Sequence, residues 1–268
     1  MLAGTSAAEL LLTGCRPGTV RVNFRPPPGA RYQYETQVRQ LTVTRLAGRP
    51  EERSTEEATL RADDTVIDSG PDGVRMRVVL QRSGSPTRTF VVRFDRAAQL
   101  AGVETVEGLP AAVLGALSLP EDILPGAAGA PPNRPLAPGE SWTIDSPLRL
   151  PGTQPTRLEG SGRLVELQVV GGGRQVASIQ ARTRLPLARS TELRDSRLSL
   201  DGVEVTDSVS THAISDGAIE ELRAVTRGDF ALVLAPAGAG GAAGAGGGGQ
   251  AVTGRLSIEV TSRTRRLH

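Results

Sequence analysis

Apolar residues recur at every second position along most of this chain, not at the three-to-four spacing of a helix. Val20, Val22 and Phe24 alternate with Arg21 and Asn23. Tyr32, Tyr34, Thr36 and Val38 alternate with Gln33, Glu35, Gln37 and Arg39. Val74, Met76, Val78 and Leu80 form a third run, and Leu256, Ile258 and Val260 a fourth. Strands of this kind bury one face and wet the other, as antiparallel sheets do. About eleven strands are expected by this count. The apolar parity shifts between Val38 and Leu41, which predicts a bulge there.

Turn residues punctuate the pattern. SGPDG (69–73) and VVGGGRQV (169–176) lie between strand-like runs and predict hairpins. LDGVEV (200–205) and SDGA (215–218) each contain an Asp-Gly turn signal. The best helical segment is EGLPAAVLGALSLPEDIL (107–124), with Pro110 near its first turn and Pro120 ending it. AGAGGAAGAGGGG (237–249) predicts a flexible hairpin tip. It lacks the Lys and Ser/Thr that a phosphate-binding loop requires.

These elements predict an all-β, mostly antiparallel protein with long curved strands and one short central helix. Residues 15–105 form a first β-rich half. Residues 106–139 hold the helix and a Pro/Ala/Gly-rich connector. Residues 140–268 form a second half that includes the Gly-rich loop. Each half has an Asp-bearing turn before a further strand, FDRAAQLAGVE (94–104) and ISDGAIEELRA (214–224). Two half-barrel-like halves and one continuous curved sheet both remain open at this point.

Composition narrows the function. The chain has 268 residues, enough to bury a substantial core. Only 3% are aromatic, so the core must be built from Val, Leu, Ile and Ala. The formal net charge of +2 sets up no global field toward nucleic acid. The basic segments 182–197 and 263–268 are interleaved with acids or lie in alternating strands, and no aromatic residues accompany them to stack bases. We therefore expect no nucleic-acid partner.

Candidate chemistry is sparse. His212, His268 and Cys15 are scattered, which argues against a zinc site. Asp63, Asp64, Asp68 and Asp72 lack calcium-loop spacing and read as turn residues. A Ser–His–acid triad would have to use His212, which lies in an alternating strand where half exposure is usual. GESWT (139–143) places Ser141 after a Gly but lacks the closing Gly of a nucleophile elbow. We expect no enzyme activity, no catalytic residue, no metal and no cofactor. Trp142, the only tryptophan, is expected to anchor the core where the halves join.

LTGC (12–15) resembles the lipobox of bacterial lipoproteins, with Leu12, two small residues and then Cys15. That resemblance implies diacylglycerol on the Cys15 thiol, with residues 1–14 a truncated signal segment. The segment lacks a positive start, and Glu9 interrupts it. TVRVNFRPPPGARYQYE (19–35), FVVRFDRAAQLAGVE (90–104) and LAPGESWTI (136–144) are similar to an uncharacterised family of bacterial envelope proteins. The likeness implies a β-rich extracytoplasmic domain, lipid-anchored to a bacterial membrane at the periplasmic or cell surface, and supplies no activity. The expected function is a non-enzymatic lipoprotein that binds or carries a hydrophobic ligand. The alternatives are an assembly module for another envelope protein and a hydrolase with an unrecognised site.

Overall fold

The computed structural model describes residues 18–98, 100–110, 130–148, 155–192, 196–236 and 251–267. Twelve strands form one antiparallel sheet. The first six are β1 (Arg31–Leu46), β2 (Glu52–Gly70), β3 (Gly73–Arg82), β4 (Arg88–Phe94), β5 (Leu100–Val106) and β6 (Leu109–Pro110). The other six are β7 (Ser141–Leu148), β8 (Thr156–Val170), β9 (Arg174–Glu192), β10 (Ser196–Ala213), β11 (Ile219–Pro236) and β12 (Val252–Leu267). The order across the sheet is β6-β5-β4-β3-β2-β1-β12-β11-β10-β9-β8-β7. The chain meanders outward from the centre to one edge, then returns from the other edge to the centre. β12 closes the path by pairing with β1 from Gln33↔Leu267 to Leu46↔Gly254. The halves are thus one continuous sheet.

Three sequence expectations are corrected. First, β1 runs through Val38–Leu41 with no register shift against either neighbour, so there is no bulge. Gln40, Thr42 and Thr44 continue the face of Val38, and Leu41 falls on the opposite face, 38% exposed. Second, Asp201 and Gly202 sit inside β10, not in a turn. Gly202 lies opposite Phe230, and a Cβ there would collide with that ring, so Gly is required for packing. Third, the expected helix over 107–124 opens instead on a Glu107–Gly108 turn and strand β6. The rest of it lies outside the described residues, as does the Gly-rich loop 237–249.

The hairpin expectations at 69–73 and 169–176 hold. Gly70 and Gly73 close one, and Gly171–Gly173 form a single 3-10 turn in the other.

Each half builds its own apolar cluster on the same sheet face. The first gathers Tyr32, Leu60, Val66, Met76, Phe90 and Val92 from β1 to β4. The second gathers Trp142, Ile144, Leu158, Leu164 and Ile179 from β7 to β9. Trp142 therefore anchors the second half only. Its ring lies where a Gly162 side chain would be, across the β7–β8 pair.

The junction belongs to the N-terminal segment. Val20 pairs with Leu136, Val22 enters the second cluster and Phe24 the first. Burying these two side chains contributes about 1.5–3 kcal/mol each. The two Asp turns clamp this strap. The Phe24 amide donates to the Arg96 carbonyl at 2.9 Å, and the Arg25 amide to the Asp216 carbonyl at 2.6 Å. Both turns are closed alike: Asp95 Oδ1 accepts the Ala97 amide at 2.8 Å, and Asp216 Oδ1 the Ala218 amide at 3.0 Å.

Candidate functional site: an apolar sheet face and a polar pocket

Cys15 lies outside the described residues, so its candidate role stands on sequence. Ser141 is exposed on edge strand β7, with its side chain opposite in direction to the buried Trp142. His212 is not half-exposed as expected but 1% exposed on β10. The side chains of Ser210 and His212 lie 2.9 Å apart at Nε2, and Nδ1 is 3.1 Å from the Gly217 carbonyl. Since a carbonyl only accepts, Nδ1 carries the proton and Nε2 accepts from the Ser210 hydroxyl. Both side chains are buried beside Gly217, each 1% exposed. Ser141 and His212 are not brought together.

The acids are not a turn cluster either. Asp63 and Asp64 lie within β2, Asp68 follows a bulge beside Arg75, and Asp72 sits at the hairpin tip. No group of three or more His, Cys, Asp or Glu is positioned to hold a metal among the described residues.

Asp64 is instead part of a pocket of about 510 Å³ at the clamped end of the central strands, lined by Tyr32, Gln33, Asp63, Asp64, Thr65 and Arg266, among others. Strand pairing brings Tyr32 beside Asp64 and Tyr34 beside Arg266. The Tyr32 hydroxyl donates to Asp216 Oδ2 at 2.8 Å. The Arg266 guanidinium stacks 4.6 Å above the Tyr32 ring and donates to Glu220 at 3.1 Å. Burial, then the Asp216 hydrogen bond, pushes the Tyr32 hydroxyl well above its ordinary range. Asp64 is different. Its Oδ1 is shielded from solvent and accepts no hydrogen bond. Burial, helped by the neighbouring Asp63 charge, pushes its pKa up to about 7.

The other feature is the far half of the long strands. β10 has 18 residues and spans ~60 Å, well past the apolar clusters. On the face that carries the core, pairing aligns Leu187, Gly202, Phe230 and Leu256 in one row. The adjacent row holds Arg189, Leu200, Leu232 and Gly254. Leu198, Leu234 and Val252 follow beyond, and Leu185 and Ile258 lie on the other side. Phe230 and Leu232 are buried, yet neither belongs to any of the apolar clusters. The leucines around them are half-buried. Among the described residues, the large contacts of these strands are with their sheet neighbours.

The opposite face of the same strands is ionic. Arg227 contacts Glu259 at 3.1 Å and Asp207 at 3.9 Å, and Arg182 reaches Asp207 at 3.8 Å. Arg263 bonds Glu221 at 3.0 Å, and Arg265 and Arg61 converge on Glu35. The Arg265 hydrogen bond is foremost in holding Glu35 below the usual carboxylate range. Exposed pairs of this kind contribute ~0–1 kcal/mol each. Val209 and Val233 are exposed among them on this face.

Arg189 departs from that rule. It points to the apolar face, opposite Leu200, and its Nε is shielded without a hydrogen-bond partner. Sequence reasoning treated 182–197 as one basic segment. Counting parity through β9 separates Arg189 from Arg182 and Arg184, a signal that was present in the alternation. Asp64 gave no such signal. Comparison with protein-family models, with curated proteins and with solved structures matched nothing.

Proposed function

We propose that this chain is a non-enzymatic binding protein of the bacterial envelope, anchored through lipid on Cys15, that holds a hydrophobic ligand on the apolar face of β9 to β12. One observation carries the reading. A sheet face rich in Leu, with Phe230 and Ile258, extends beyond the apolar clusters while the reverse face mixes ion pairs with valines. A contiguous apolar surface of this kind on a soluble ribbon costs free energy unless something covers it, and an acyl chain is a fitting cover. The site differs from an enclosed carrier cavity: the pocket of about 510 Å³ is polar and lies at the other end of the strands.

Native mass spectrometry after mild extraction from a bacterial membrane tests the reading. A mass increment equal to a co-purifying lipid is expected, and a clean apo mass contradicts it. In the same spectrum the N-terminus is expected at lipid-modified Cys15. An unmodified Cys15 contradicts the anchor.

A second reading, docking of another envelope protein, rests on the edge of β8. β7 pairs with β8 only from Thr156 to Arg163, so among the described residues Val165–Val170 have a strand partner on one side alone. Val165 and Val169 are 43% and 69% exposed there. Free edges of this kind accept an added strand. Cross-linking from residue 168 in native envelopes tests it, and recovery of no partner counts against it.

A further inference from the structure

We infer that the ligand of the apolar face is a long-chain fatty carboxylate, with its head on Arg189 and its tail across Leu200 and Leu232. This rests on the reading that β9 to β12 bind a hydrophobic ligand, and it adds the chemistry of the head group.

Arg189 sits where its Nε is costly. A guanidinium donor shielded from solvent without an acceptor is unfavourable. A solvated face would remove that cost, and the arginines five and seven residues earlier in β9 use it: Arg184 and Arg182 pair with Glu159 and Asp207 on the opposite side. Arg189 alone among the β9 arginines past the hairpin is turned to the apolar side. Its cross-strand partner is Leu200, and Leu187 precedes it on the same face. No ion pair reaches it among the described residues. On that face, β11 offers only apolar residues, Thr and Gly from Leu222 to Leu234, and β12 only Val, Gly, Leu and Ile from Val252 to Val260. The nearest acid on the face among the described residues, Glu204, pairs with Leu185 and Gly228, two residues further along β10 than the Gly202 row and four beyond Leu200.

Charge and shape then select the head. A single unpaired guanidinium matches one planar monoanion, which it can hold through two parallel hydrogen bonds. A phosphate dianion would remain half-compensated, because among the described residues this stretch of the face has no second cation. The tail direction follows from register. From Arg189 the row runs over Leu200 and Leu232 to Gly254, where the Leu46 side chain lies alongside, about 14 Å across three strand spacings. Phe230 flanks it, its ring lying over Gly202 and Gly228.

The test uses the full chain, titrated with palmitate and with its uncharged methyl ester, followed by native mass spectrometry and calorimetry. Palmitate is expected to bind about ten- to a hundredfold more tightly than the ester. Arg189→Gln is expected to lower palmitate affinity to that of the ester and to leave the ester unchanged. Circular dichroism confirms that the variant is folded. If palmitate and ester bind equally, or if Arg189→Gln leaves palmitate unaffected, the carboxylate assignment is wrong while the apolar site stands. If neither compound binds, the apolar-site reading itself fails. Arg189→Lys separates charge from shape: it is expected to keep part of the preference, and loss equal to that of Gln argues for the bidentate fork.

Discussion

The environment of Asp64 takes it far from its ordinary behaviour. Below about pH 4 it is neutral in both folded and unfolded chains. Between there and about pH 7 the folded chain holds a proton that the unfolded chain has lost. Stability from this group therefore falls as pH rises through that window and levels off above it. Asp64→Asn is expected to remove that slope. At pH 8 the variant is expected to be more stable by about 2 kcal/mol, under a ceiling of about 4 kcal/mol set by ~1.4 kcal/mol per pH unit. Urea unfolding of both proteins at pH 5 and pH 8 checks it: the gap must be widest at pH 8 and shrink to less than half of that at pH 5. A second residue-scale test is Gly162→Ala. A Cβ there enters the Trp142 ring, and the displaced ring is expected to cost about 1–3 kcal/mol in chemical denaturation. Trp142 could be recognised from sequence as a core residue. Its partner glycine could not, because the β7–β8 register decides which residue lies beneath the ring.

At the scale of elements, alternation was a good guide wherever one face is buried. It identified the runs of β1, β3 and β12, and the glycine hairpins between strands. It misled at Val38–Leu41, where Leu41 simply lies on the other face of a regular strand. It also misled at Asp201–Gly202, where a turn dipeptide serves as a gap for Phe230. The recurring Asp turns were legible, but not their purpose. They grip the two sides of the Val20–Arg25 strap that joins the halves. Gly217 has a φ of 73°, and a Cβ there would collide with the Asn23 carbonyl. Gly217→Ala is expected to destabilise the protein by about 2–3 kcal/mol and to loosen the strap. Amide hydrogen exchange should then accelerate at Val22, Phe24 and Arg25 more than in β3 or β9. Uniform acceleration would mean that the clamp is not local.

For the whole molecule, the sheet divides into a clamped end with two apolar clusters and a far end with one apolar face. Sequence pattern revealed that the strands are amphipathic. It did not reveal that their length exceeds what the clusters cover, because that depends on the aligned registers of β9 to β12. The account's central claim is that this far apolar face is the ligand site. The direct measurement compares palmitate binding by the parent chain with Leu200→Asp, on the apolar face, and Leu41→Asp, on the opposite face. Leu200→Asp is expected to weaken binding by about tenfold or more, and Leu41→Asp to leave it within about twofold. Equal effects of the two substitutions, or no palmitate binding by the parent, would contradict the account.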